Sequence, residues 1–178
     1  MIFNHKRLLL FCFAVFFILP GAFAENQNDK NAKNAVYLDI MGIGGWYSLN
    51  YERILYSMNR LNLGVSAGVS ANHLKDFTGT FNPDWSFPVS LNAFYGRTHH
   101  VEFGLGSTFA SVVRANSDYD PERGLNINLG LTLGYRYQKP GGGFMFRAAY
   151  TPIIPVYRKY SEEGEFKNWL SVSVGYSF

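Results

Sequence analysis

The sequence predicts an all-β fold, an eight-stranded antiparallel transmembrane β-barrel. Three observations carry that expectation. Apolar and polar residues alternate with period two over most of the chain, and the links between alternating segments are short and long by turns. Aromatic residues also gather at segment ends. The alternation is cleanest over 125–138, where Leu125, Ile127, Leu129, Leu131, Leu133, Tyr135 and Tyr137 share one face. In a helix, residues two and four apart would scatter around the cylinder, so a strand is the reading.

Residues 1–24 have the pattern of a cleaved signal peptide. Lys6 and Arg7 make a positive start, 8–19 are apolar throughout, and Ala22-Phe23-Ala24 supplies a small-x-small cleavage site. The apolar run falls short of the roughly 20 residues that a spanning helix needs. Cys12, the single cysteine, lies within this leader. Phe11 before it is too large for a lipoprotein cleavage site.

Of 16 Lys and Arg, two belong to the leader, which leaves 14 against 13 acids in the mature chain. So balanced a chain is not expected to bind nucleic acid. With no cysteine left, disulfides, a thiol nucleophile and cysteine metal sites are excluded. Residues 25–34, rich in Asn, Lys, Asp and Gln, are expected to be a flexible periplasmic lead-in, and 35–178 the barrel.

The eight segments expected within it are 35–42, 46–54, 60–72, 85–96, 99–114, 125–138, 143–152 and 166–178. The glycines at 42, 44 and 45 admit a tight turn or a kink in one long strand. The turn is preferred, because one strand from 35 to 54 would far exceed the roughly 9–11 residues that cross a membrane, and would leave an odd strand count. Short links follow at 55–59, 97–98 and 139–142; long polar ones at 73–84, 115–124 and 153–165.

Asp39, Glu52, Glu102, Arg136 and Arg147 occur on the small, polar face of their segments, among Ser, Asn, Thr and Gly. A soluble barrel of the lipocalin kind would turn its apolar face inward and these charges outward. A membrane barrel turns them inward, because an outward arginine at mid-bilayer costs about 2–4 kcal/mol. Three acids and two arginines nearly neutralise one another, so an interior ion-pair network is expected. Eight strands leave room for side chains and little else, so the interior is expected to be largely plugged.

Tyr51, Tyr95, Tyr135, Tyr137, Tyr176 and Phe178 close even-numbered segments and are expected to form a belt at the periplasmic interface. Trp46, Trp85, Tyr157 and Trp169 fall near the other rim.

An outer-membrane lipid A hydrolase would need a nucleophile or an acid–base group with a polar orienter. His99 and His100 beside Glu102 are assigned to a periplasmic turn, the wrong end for outer-leaflet lipid. Adjacent histidines on a strand also face opposite ways and do not chelate one ion. Ser70, His73 and Asp76 offer triad residue types near the outer mouth, but their spacing implies no triad geometry. The His-x-Ser pair of known deacylases is absent. Gly141-Gly142-Gly143 opens a strand and not a helix, so it reads as a hairpin turn and not a phosphate cradle. No catalytic residue, cofactor or metal ligand is expected. The acidic, aromatic stretches 117–122 and 157–163 read as solvated loops.

The closing strand, Trp169-Leu170-Ser171-Val172-Ser173-Val174-Gly175-Tyr176-Ser177-Phe178, resembles the C-terminal signal read by the barrel-assembly machinery. That resemblance assigns Trp169, Tyr176 and Phe178 to the signal and makes the machinery a partner. The whole mature chain resembles small barrels of OmpA/OmpX-like shape. More narrowly, 44–53, 134–138 with 141–144, Phe146-Arg147, Tyr150-Thr151-Pro152 and the closing Gly-Tyr-Ser-Phe resemble a family of uncharacterised bacterial envelope barrels. The resemblance implies the fold and no activity.

The function expected is non-enzymatic: a structural or surface-interaction barrel in the bacterial outer membrane, touching lipid and lipopolysaccharide, with an unknown partner at its loops. A narrow channel for small solutes stands second. A lipid A-modifying hydrolase using the His73 region stands third.

Overall fold

The computed structural model describes residues 32–116, 119–159 and 166–178. The expected leader, residues 25–31 of the lead-in, and 117–118 and 160–165 of the two acidic loops lie outside the described residues.

Eight antiparallel strands follow one another around a closed ring: β1 (Asn34–Gly42), β2 (Gly45–Met58), β3 (Leu61–Asn72), β4 (Asp84–Gly96), β5 (His99–Ala115), β6 (Pro121–Gln138), β7 (Gly143–Arg158) and β8 (Lys167–Ser177). β8 returns to pair with β1, from Ala35 opposite Ser177 to Ile40 opposite Val172. Closure leaves no strand with an open edge, which is the condition for backbone to cross a hydrocarbon layer by strands.

The side chains are sorted in reverse of a water-soluble barrel. On the outside, Leu170 is 75% exposed, Val101 67%, Leu91 63% and Leu105 51%. On the inside, Ser48, Asn50, Ser66, Ser90, Asn92, Thr132 and Ser173 are buried. A continuous leucine and valine exterior is stable only against another apolar phase. The alternation therefore fixes register as well as strand identity, since a slip of one residue would exchange the two faces.

An even strand number puts the start of β1 and the end of β8 at one rim. That terminal rim also carries the links at 59–60, 97–98 and 139–142; the distal rim carries 43–44, 73–83 and the described ends of the other two links, 116, 119–120, 159 and 166. The Gly42–Gly45 region is a turn: Gly42 pairs with Gly45, Ile43 and Gly44 make the reversal, and Gly45 takes a φ of +104°. Such a φ suits a residue without Cβ.

Several strands run further than the alternation suggests. β2 continues from 54 to Met58 through a register shift between Ile54 and Tyr56. The bulge displaces the period by one residue, which hides the continuation and leaves Tyr51 in mid-strand, not at its close. β6 begins at Pro121 and not at 125, with Glu122 opposite Arg114 and Arg123 opposite Val113. β7 extends to Arg158 past another irregularity at Ile127 and Asn128. The long links at 115–124 and 153–165 shorten accordingly. At the start, Asn34 belongs to β1 rather than to the lead-in, and the Ala32 N–H already donates to the Pro140 carbonyl.

Candidate functional site: the charged interior and the distal mouth

The five interior charges come from β1, β2, β5, β6 and β7, each on the inward parity of its strand. Arg136 Nη2 lies 2.7 Å from Glu52 Oε1 and its Nε 3.4 Å from Glu102 Oε2. These are ion pairs by distance, since neither is aligned as a hydrogen bond. Arg147 is held more directionally. Its Nη1 donates to Glu102 Oε1 at 3.2 Å, its Nε donates to Ser173 Oγ at 2.9 Å, and Nη2 lies 3.4 Å from Asp39 Oδ1.

Three carboxylates face two guanidinium groups, and neutral donors take up the remainder. Ser173 Oγ donates to Asp39 at 2.7 Å, and Asn92 Nδ2 to Glu52 Oε2 at 2.7 Å. Each guanidinium also rests on a ring, Arg136 on Phe94 at 4.3 Å and Arg147 on Tyr37 at 4.8 Å. Planar, weakly hydrated cations suit such stacking. The result is a fixed layer across the lumen. Glu102 and Arg136 have no solvent exposure at all.

A second obstruction lies nearer the distal rim. The β1–β2 turn is tucked inward, and Ile43 occupies the space over two glycines of the opposite wall. A Cβ on Gly106 would lie 2.5 Å from Ile43 Cδ1, and one on Gly130 2.4 Å from Ile43 Cγ2. Thr108 Oγ1 donates to the Ile43 carbonyl and fixes the turn there. Sequence reading had no signal for this plug, because it depends on which distant strand the turn meets.

At the distal mouth the structure separates the three residues singled out as triad types. His73 Nδ1 meets Asp84 Oδ2 at 3.2 Å, not Asp76. Asp84 is buried, accepts the Val113 N–H at 2.7 Å and faces Arg114 Nη1 at 3.3 Å. Ser70 Oγ accepts from Asn72 Nδ2 at 2.9 Å. Asp76 organises its own loop: Oδ1 accepts from the Thr78 hydroxyl at 2.6 Å and from the Thr78 and Thr80 amides, and Oδ2 from Asn82 Nδ2 at 3.1 Å. The Thr78 hydroxyl bond is foremost in holding this carboxyl below its ordinary 3.8. His73 and Asp84 stand 11 residues apart, a spacing with no sequence signature.

His99 and His100 face opposite ways. His99 is exposed, with Nδ1 2.6 Å from the Tyr135 hydroxyl, whereas His100 is buried. Glu102 points into the ion layer and serves both arginines. Among the described residues, no group of three His, Cys, Asp or Glu is placed to hold a metal ion. Of the residues assigned to the assembly signal, Tyr176 projects outward between Val36 and Phe144, and Phe178 exchanges backbone hydrogen bonds with Asn34. Trp169 lies toward the other end, its ring 5.7 Å from Trp46.

No protein-family model matches the chain, and no curated protein matches it. Among solved structures, the N-terminal β-barrel domain of Pseudomonas aeruginosa OprF aligns with a TM-score of 0.54 at 11% identity, covering 85% of this chain and 100% of that one. Neisserial surface protein A (NspA) aligns with a TM-score of 0.43 at 15% identity, covering 83% and 92%. At such identities the likeness speaks for architecture only. With the closed ring and the inverted distribution of apolar side chains, the likeness to the OprF domain establishes the chain's fold as that of a small, eight-stranded outer-membrane β-barrel.

Proposed function

We propose that this protein is a non-enzymatic barrel of the bacterial outer membrane, with its terminal rim in the periplasm and its distal loops outside. Its role is structural or surface-interacting, carried out by a plugged anchor that displays the loops at 73–83, 116–120 and 159–166. The observation that supports this reading most is the double obstruction of the lumen, by the arginine–carboxylate layer and by Ile43. A side-chain-filled barrel of eight strands has no room for a hydrated solute path. The described loop residues add support. Arg123 reaches the Pro83 carbonyl at 3.2 Å and Asn82, and Lys159 Nζ lies 2.6 Å from Glu122 Oε1, so the described ends of β6 and β7 are tied to each other and to the β3–β4 loop.

Planar-bilayer recording tests the reading. Protein shown to be folded by its gel mobility is expected to give no discrete conductance, while Ile43→Gly combined with Arg136→Ser is expected to raise it. Reproducible openings of the unaltered protein would make the channel reading the leading one. Protease shaving of intact cells tests the orientation. Cleavage is expected at Lys75 or Lys159, and cleavage at Arg97 instead would invert it. A change in lipid A mass on deleting the gene, restored by the normal protein but not by His73→Ala, would overturn the non-enzymatic assignment.

A further inference from the structure

The chain has three tryptophans, and two of them face away from lipid. Trp85 is the exception: its neighbours Asp84 and Ser86 are buried, and it points outward with Phe87 and Val89. Trp46 shares its strand face with Ser48 and Asn50, which are buried in the lumen, and Trp169 shares its own with Ser171 and Ser173. Alternation therefore turns both rings toward the axis of the barrel. They stand at the distal ends of β2 and β8, on either side of β1, with ring centroids 5.7 Å apart and a tilt of 37°.

The interfacial preference of tryptophan gives no account of this pair, because a ring on the lumen face does not meet the headgroups. Trp46 is nonetheless 62% exposed, so its face is open to water at the mouth. Trp169 is more covered and backs it. The turn beside them is held in place: the Ile43 carbonyl accepts from Thr108, and Gly45, next to Trp46, has the φ of +104° that suits a residue without Cβ. Lys167 sets its ammonium 5.7 Å over the Trp169 ring, and Thr151 stands opposite Trp169 on β7. Asn72 lies beside Ser70 on the lumen face of β3. The mouth is thus one flat apolar face among hydroxyl, amide and ammonium groups. A protein partner would call for a contiguous apolar patch. One ring face in polar surroundings suits a molecule that is apolar on its own faces and polar at its edge. A pyranose is such a molecule, with axial C–H bonds on its faces and hydroxyl groups around its rim.

We propose that Trp46, backed by Trp169, is a stacking platform for a β-linked, gluco-configured pyranose of a glycan outside the cell. In such a sugar the hydroxyl groups are equatorial, so both faces are lined by hydrogen and either can lie against the indole. Lys167 supplies a donor for a hydroxyl oxygen at the edge. Tryptophan offers a large contact area at a small cost in conformational freedom. The Ile43 plug denies passage, so the glycan is held at the mouth and not carried through. The proposal rests on the surface-interacting reading above and names the chemistry of the partner.

The tryptophans themselves supply the readout. Trp85→Phe leaves Trp46 and Trp169 as the remaining indoles. In that protein, purified whole in a detergent without a sugar headgroup, cellohexaose is expected to give a saturable change in tryptophan fluorescence. An inulin-type fructose hexamer, whose furanose rings lack such a face, is expected to bind at least about tenfold more weakly. By titration calorimetry, Trp46→Ala is expected to weaken cellohexaose binding at least about tenfold and Trp46→Tyr to keep most of it, both with the heat-resistant gel mobility of the barrel. In liposomes, phosphatidylcholine with brominated acyl chains is expected to quench the unaltered protein far more than Trp85→Phe. No saturable change with cellohexaose would overturn the proposal, as would equal binding of the fructose hexamer or an affinity unchanged in Trp46→Ala. Strong quenching of Trp85→Phe by the brominated lipid would return the pair to the lipid belt. A fluorescence change on diluting the protein, without any response to sugar, would assign the pair to a second copy. Each of these is read on purified protein, whereas the orientation is read by shaving cells, so the two fail separately.

Discussion

The Arg136 guanidinium reaches Glu52 across the lumen at 2.7 Å, although β6 and β2 are not neighbours in the ring. Contacts of this kind brace the cylinder from within. Arg136→Met is expected to leave Glu52 with Asn92 as its remaining partner and to cost about 3–5 kcal/mol, the usual penalty for stranding a buried charge. The urea midpoint for loss of the compact gel band reads this directly. A midpoint equal to that of the unaltered protein would show that the layer does not brace the barrel.

Gly130→Ala is expected to drive the new methyl group into Ile43 and to destabilise by about 1–3 kcal/mol through overpacking. Ile43→Ala in the same chain is expected to recover most of that loss. A double-mutant cycle supplies the coupling, and additive effects would mean that the turn does not rest on the β6 wall.

The outward face is tested by Leu105→Arg. Leu105 stands opposite Leu91 on β4 and Leu131 on β6, in the midst of the apolar exterior. In a bilayer the change is expected to cost about 2–4 kcal/mol, read as a lower unfolding midpoint in liposomes. No change there would mean that this face does not meet lipid.

The loop at 73–83 is expected to loosen in acid. Its fold favours ionised Asp76, whose carboxyl the Thr78 hydroxyl above all holds below 3.8. That contribution is complete above the unfolded value and is lost as the pH falls through the lower folded value. Amide exchange at Thr78 and Thr80 should therefore rise steeply at the acid end, once corrected for intrinsic rates. In Asp76→Ala it should be fast at every pH. Slow exchange in Asp76→Ala would show that the carboxylate does not hold the loop.

The parts of the fold legible in the sequence are those that lipid dictates. Leu125 to Tyr137 must alternate because one face meets hydrocarbon and the other a crowded lumen, and the pattern states both facts at once. Where that demand ends, so does the signal. Pro121 to Gly124 continue β6 through ladder pairing with β5 alone, and polar residues on both faces leave no period to read. The interior charges were visible as misfits on a small-residue face, which marks Asp39, Glu52, Glu102, Arg136 and Arg147 together without saying which meets which. The partner of His73 was not legible, because Asp84 reaches it through the return of a folded loop. Ile43 was hidden for a related reason. Its role depends on two glycines more than sixty residues away, which read from sequence only as strand glycines.

β1 has 9 residues and β8 11, whereas β5 and β6 have 17 and 18. The first and last strands therefore meet along a shorter ladder than β5 and β6 do. A ring without that ladder would be a curled sheet with two bare edges, each able to recruit the same edge of another copy. Ring closure thus does double duty: it completes a membrane-compatible surface, and it withholds from other copies the two edges through which strands could be exchanged.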